Sequence, residues 1–286
     1  MEIYSLPTLR DPIMIAAFQG WNDVGEAATK AVEHLLALWP SQLIAEMESE
    51  DFYDYQINRP NVFLADDGER ELSWPTTTIH AVTVPKFDRD LVVVTGVEPS
   101  LKWRTFIGEL LSLGEDLNIS MVISLGALLA DVPHTRPIPV SLSPANTTLA
   151  KKFDLEMSRY EGQTGILGAL QDGCNARDID ALSLWAAIPH YVSSPPCPKA
   201  TLALINHLED LLEMNIPEGE LPDDARAWEL GATQIMQEDS EISEYVQSLE
   251  DSKDAADLPE ATGESIAREF ERYLRHRGDE KKDERK

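Results

Sequence analysis

Four apolar runs in this chain stop at polar turns marked by glycine or proline. The turns are Gly20-Trp21-Asn22-Asp23, Gly96-Val97-Glu98-Pro99, Gly126 through Pro137, and Pro189-His190-Tyr191. Three lead directly into helix-like segments, and the third in order does so through a longer loop. In an open α/β sheet the carboxyl ends of parallel strands gather on one edge, where ligands bind. The pattern therefore predicts that polar residues of distant segments converge on one site.

Ile13 to Phe18 has the length and apolar character of a strand. From Asp23 to Trp39 the apolar positions Val24, Ala27, Ala28, Ala31, Val32, Leu35 and Leu36 recur at helical spacing, and Pro40 ends the run. Leu43 to Met47, the β-branched Thr77 to Val84, and the continuous apolar Leu91 to Thr95 read as strands. Residues 49 to 76 read as irregular, with a surface turn at Asp66-Asp67-Gly68-Glu69. Leu101 to Leu117 is an amphipathic helix, and Met121 to Leu125 the next strand. Prolines confine Ile138 to Leu142 to a sheet edge or a strand start. Residues 146 to 175 mix two short helical segments around a Tyr160-Glu161-Gly162 turn. Ile179 to Ile188 is a strand and Lys199 to Met214 a helix. This alternation predicts a three-layer α/β/α domain with a mainly parallel sheet over residues 1–216.

Beyond it, Trp228, Ile235, Ile242 and Leu249 recur every seven residues, with Ala232 and Val246 between them and Asp239 interrupting. They predict a long helix or helical hairpin in an extension over 217–278, packed on the body or on another subunit. Residues 250 to 263 read as a linker, and Ile266, Phe270, Tyr273 and Leu274 as a last amphipathic helix. Residues 279–286 are expected to be disordered.

Charge narrows the partners. The 286 residues carry 24 basic and 51 acidic side chains, a net charge of −27. The stretch 201–286 alone holds 24 acidic against 10 basic residues. Nucleic acid and anionic membrane both require a positive surface, so neither is expected as a partner. No apolar run approaches a membrane span, and Met1-Glu2-Ile3-Tyr4-Ser5 has no signal-peptide character, which predicts a cytoplasmic protein. Cys174 and Cys197 then read as reduced packing thiols, too few for a zinc site of their own.

Each candidate site residue has a structural reading beside a functional one. Asp23, with Glu26 three residues on, is a helix-start signature. The same geometry offers an anion-binding helix N-terminus, with Asn22 as donor and Trp21 as a cover for a ligand or a subunit interface. Glu98, before Pro99, either complements a helix dipole or faces a ligand, with Arg104 one turn further as a partner. In the stretch Ala127 to Pro137, Asp131 is placed to orient His134 for proton transfer, and Arg136 to hold a phosphate or carboxylate. The alternative is a self-satisfied loop. His190 is expected to face His134 across the strand ends. Tyr160 and Glu161 precede a helix start near Gly165, whose N–H groups suit an anion. No local spacing supports a metal, a cofactor loop or a nucleophile elbow, so neither metal nor cofactor is expected.

Taken together, Phe18 through Gly25, Gly96-Val97-Glu98-Pro99, Leu125 through Pro137, Tyr160 through Gly165, and Trp185 through Tyr191 resemble the proteasome-assembly-chaperone family. The resemblance covers roughly residues 10 to 215. It is to the bacterial and archaeal branch, in its actinobacterial type with an acidic C-terminal extension. It implies a fold related to nucleoside phosphorylases and hydrolases, and homo-oligomers, without implying a reaction. Chaperones of this group that dock on proteasome α-rings do so through a C-terminal hydrophobic-Tyr-X tail. This chain ends Lys281-Lys282-Asp283-Glu284-Arg285-Lys286 and departs from that pattern.

Two functions follow as expectations. The first is a non-enzymatic assembly or interaction protein that forms a homo-oligomer and binds other proteins. The second is an enzyme, a hydrolase or nucleoside-phosphorylase-like transferase, acting on a small anionic ligand at the strand ends.

Overall fold

A computed structural model describes residues 1–65 and 67–257. Its strands are β1 (Glu2–Ile3), β2 (Ile13–Gln19), β3 (Ser41–Glu46), β4 (Asn61–Leu64), β5 (Arg70–Ser73), β6 (Thr77–Val82), β7 (Leu91–Val97), β8 (Met121–Ala130), β9 (Val140–Pro144) and β10 (Ala181–Pro189). Its helices are α1 (Ala27–Leu38), α2 (Ser49–Phe52), α3 (Trp103–Asp116), α4 (Thr147–Lys152), α5 (Ile166–Ala176), α6 (Pro198–Leu212), α7 (Leu221–Glu238) and α8 (Ser240–Asp257).

Eight strands form one sheet in the order β1-β3-β6-β7-β2-β8-β10-β9. The central four, β7, β2, β8 and β10, run parallel. On the outside, β6, β3 and β1 pair antiparallel in turn, and β9 pairs antiparallel to β10. The sheet is thus mixed, which corrects the expectation of a mainly parallel one. Parallel neighbours need long crossover connections, whereas β6 and β7 are joined by a short loop and pair antiparallel.

Alternation along each strand builds two cores. On β2, Ile13, Ile15 and Ala17 face one side and pack with residues of α1 and α6, including Leu35, Leu204 and Leu208. Met14, Ala16 and Phe18 face the other side and pack with Phe106 and Leu110 of α3 and Leu167 and Leu170 of α5. Helices therefore flank both faces. Both cysteines are buried and unpaired, in keeping with their reading as packing residues. Burial pushes the Cys174 thiol up to about 12 and the Cys197 thiol up to about 11.

The segment read as irregular holds α2 and a separate β4–β5 hairpin. The hairpin shows no buried face, because Val62, Phe63, Leu64 and Leu72 are all exposed. β8 also continues past the expected turn at Gly126, pairing with β10 as far as Ala130.

The helical extension is a pair of helices, α7 and α8, broken at the extended Asp239. Its seam differs from the seven-residue repeat. Ala225, Ala232 and Val246 are buried, while Ile235 is 51% exposed. Trp228 is partly buried against the first core. Residues 250 to 257 continue α8 and are not a linker. The expected remainder of the linker, the helix around Ile266 to Leu274, and the 279–286 tail lie outside the described residues. Because Trp228 is only half-buried, Trp228→Ala is expected to cost roughly 1–3 kcal/mol, less than the 3–5 of a fully buried ring. Urea unfolding of the full chain measures it.

Candidate functional site

β2 lies where the chain order reverses, between β7 and β8. Its pairing with β8 ends at Ala16↔Ser124, so the two strands separate towards their carboxyl ends. That is the crevice where an open α/β sheet receives a ligand. Here the chain fills it. The loop after β2 folds back, and the Ala127 N–H donates to the Asn22 carbonyl at 2.8 Å. Gly25 permits this course at φ +64, and a Cβ there would stand 2.8 Å from the Cβ of Cys197.

Two of the helix N-termini at this edge, those of α1 and α5, already hold carboxylates of the chain. Asp23, 6% exposed, accepts the Ala28 N–H at 2.7 Å, the Thr29 N–H, and a very short bond from the Thr29 hydroxyl. It closes the start of α1, preceded by a single 3-10 turn at Val24–Glu26. Burial raises the Asp23 carboxyl above its ordinary value, opposed by the hydrogen bonds from Thr29 and Ala28. Glu98 does the same for a different helix from the one that follows it in sequence. Its Oε1 accepts the Ile166 N–H at the start of α5 at 2.8 Å and the Asn22 amide at 2.7 Å. Gly165 lets α5 come this close, since a Cβ there would lie 2.2 Å from Asn22 Oδ1. Arg104 is not a partner of Glu98 and stands exposed.

A second group forms around the loop after β8. His134 is fully buried. Its backbone N–H donates to the Tyr191 hydroxyl at 2.8 Å, and that hydroxyl lies 2.8 Å from Nδ1. The Tyr191 proton therefore goes to Nδ1, which leaves the Nε2 proton for Thr233 Oγ1 of α7 at 3.1 Å. Thr233 in turn donates to the Glu229 carbonyl. Every polar atom of the imidazole is thus used internally. Asp131 is not among its partners. Asp131 Oδ1 instead stands 3.5 Å from His190 Nδ1 and accepts the Tyr245 hydroxyl of α8 at 2.9 Å. The expected meeting of the two loops is present, with Tyr191 between the histidines, its ring 5.7 Å from His134 and 5.8 Å from His190.

Arg136 also turns to α8, with bonds of 2.9 and 2.8 Å to Asp254 and a 3.4 Å contact with Glu250. Lys199 binds the His134 carbonyl and Glu229 of α7. The 131–136 loop is therefore strapped under the C-terminal helices. No local sequence spacing pointed to this, because the partners lie roughly a hundred residues apart.

Burial lowers the pKa of His134, helped by Lys199 and opposed by Glu229 and Glu250. An unfolded imidazole, at about 6.5, then takes up a proton that the folded one refuses. The contribution to stability is complete above that value and is lost as pH falls towards the lower folded value. Wild type is expected to lose more unfolding free energy than His134→Asn between pH 7.5 and 5.5. Urea unfolding at the two pH values checks this, and equal losses would contradict it.

Two clefts open beside these packed residues. One, of about 750 Å³, is lined by Trp21, Trp74, Trp103 and Glu98. The other, of about 860 Å³, is lined by Trp21, Leu128, Leu129, Met157, Tyr160 and Trp185 among others. Trp21 is 64% exposed between them. Tyr160 is also exposed and donates to the Gln163 carbonyl at 3.0 Å, and Glu161 is exposed beside it. Among the described residues no three His, Cys, Asp or Glu side chains group as metal ligands. None of the described helices is long and apolar enough to cross a membrane.

A mixed sheet with helices on both faces and a chain-filled crevice defines an α/β protein without a recognisable catalytic set among the described residues. The PAC2 family matches residues 17–236, and the chain belongs to that family. A PAC2 family protein from Streptomyces avermitilis is 53% identical, with TM-score 0.78, over 82% of this chain and all of that one. A proteasome-assembly chaperone homologue from Mycobacterium tuberculosis is 49% identical, with TM-score 0.75, over 82% of this chain and 99% of its own. An archaeal proteasome activator from Pyrococcus furiosus shares the fold at TM-score 0.64 and 20% identity, over 82% of this chain and 96% of that one. No curated protein matches.

Proposed function

We propose that this protein is a non-enzymatic, chaperone-like interaction protein of the actinobacterial PAC2 type that works as a homo-oligomer and engages other proteins. One observation carries the reading. At the strand edge, where a phosphate-binding sheet leaves helix N-termini open, Asp23 and Glu98 already occupy those of α1 and α5. The edge instead presents apolar side chains, with Leu128, Leu129, Met157, Tyr160 and Trp21 all exposed. Contiguous exposed apolar surface of this kind marks protein association. The family membership and the relative from Mycobacterium tuberculosis named as a proteasome-assembly chaperone homologue support the same reading.

The enzyme alternative requires an anion at this edge. Arg136, its best anchor, is spent on Glu250 and Asp254, and the nearby Asp23 and Glu98 would repel the ligand. Likeness to nucleoside phosphorylases and hydrolases is then ancestry of fold and not of reaction. A thermal-shift screen with nucleosides and inorganic phosphate separates the two. The interaction reading predicts no stabilisation. A bound ligand at 100 times its dissociation constant would add about 2.7 kcal/mol and favour the enzyme.

A further inference from the structure

The geometry points to a site for a small organic cation, an alkylammonium or guanidinium group, in the cleft between the β4–β5 hairpin and the end of β7. This goes beyond the interaction reading and does not depend on it. The cleft of about 750 Å³ has three indoles in its lining, Trp21, Trp74 and Trp103, together with Glu98. Two of the indoles are held in place. Trp74 packs against Tyr55 with ring centroids 4.8 Å apart. Trp103 donates its indole N–H to the Pro99 carbonyl. Trp21 is exposed at the mouth.

Glu98 supplies the charge. Its Oε1 is fixed by the Asn22 amide and the Ile166 N–H, and its main-chain N–H donates to the Gln19 carbonyl at 2.8 Å. Its Oε2 lies beside Gly20 and accepts no hydrogen bond among the described residues. The carboxylate is therefore oriented, half-buried and short of one partner. Indole faces carry the negative part of the aromatic quadrupole and attract cations within about 6 Å of the ring. A positioned carboxylate with tryptophans around it is the chemistry that recognises an organic cation. The chain's net charge of −27 raises the local concentration of such ligands. Arg59 also lines the cleft, so an anion of similar size is a necessary control.

Isothermal titration of the full chain tests this with choline, its neutral isostere 3,3-dimethyl-1-butanol, arginine amide and acetate. At least one of the two cations is expected to bind, with the neutral isostere and acetate about tenfold weaker or worse. Glu98→Gln keeps an acceptor for Ile166 and Asn22 while removing the charge, and is expected to weaken the cation about tenfold. Trp21→Ala changes an exposed side chain and is expected to weaken it about five- to thirtyfold without altering the unfolding midpoint. Preference for arginine amide over choline would assign the site to a guanidinium, as on a polypeptide side chain, and the reverse to a free alkylammonium. The proposal is overturned if neither cation binds, if the neutral isostere or acetate binds as well, or if both variants keep wild-type affinity.

Discussion

Replacing Asp23 by Ala is expected to lower the unfolding free energy by roughly 2–4 kcal/mol, an effect large enough to read by urea unfolding. The carboxylate accepts from Ala28, Thr29 and the Thr29 hydroxyl, and Ala28 and Thr29 are themselves buried. Removing it leaves two backbone donors without water or an acceptor. Were Asp23 instead held for a ligand, Asp23→Ala would leave the free protein near wild-type stability and change ligand binding alone. Asp23→Asn retains an acceptor and is expected to recover part of the loss. The recovery is aided because burial already disfavours the ionised form.

Glu98→Ala is expected to destabilise by a similar amount, roughly 2–4 kcal/mol, for a different reason. Glu98 ties β7 to α5 across 68 residues of sequence and also holds the Asn22 amide, which is 1% exposed. Loss of the carboxylate leaves the first N–H of α5 uncapped and a buried amide unpaired. Glu98→Gln supplies an uncharged acceptor in the same place and is expected to recover most of the stability. If Glu98→Ala unfolds at the wild-type denaturant midpoint, the bond between β7 and α5 has no structural weight.

The contrast between these residues and their sequence context shows what the chain made legible. β2, β7, β8 and β10 were plain because central strands are buried on both faces and read as unbroken apolar runs. α1, α3 and α6 were plain because each buries one stripe against the sheet. The β4–β5 hairpin was hidden, because a strand with no buried face has no period to detect. β8 outran its expected end because Leu128 and Leu129, still paired to β10, face outward. The candidate residues themselves were found by their turn positions, yet their partners were not. Glu98, whose turn suits it either to complement the helix that follows or to face a ligand, caps α5 instead of that helix. Asp131 was expected to hold His134 and holds His190 and Tyr245 instead. The straps from Thr233, Glu250 and Asp254 come from helices about a hundred residues further on. Such pairings are set by how α7 and α8 dock, which no local spacing encodes.

The same docking explains why the most chemically promising stretch of the sequence is quiet in the structure. His134 has no free nitrogen, and Arg136 is neutralised by two acidic side chains of α8. Beside this stretch the edge leaves an apolar surface open along Trp21, Leu128, Leu129 and Tyr160.

That surface is where the central claim is most directly tested. Light scattering on the full chain at micromolar concentrations, for wild type and for Leu129→Glu, measures whether the strand edge mediates association. Leu129 is 51% exposed, so the substitution is expected to leave the unfolding midpoint nearly unchanged. The account predicts an oligomeric wild type and a Leu129→Glu variant shifted towards the monomer mass. A wild type that stays strictly monomeric across that range would contradict it, as would an oligomer that Leu129→Glu leaves intact.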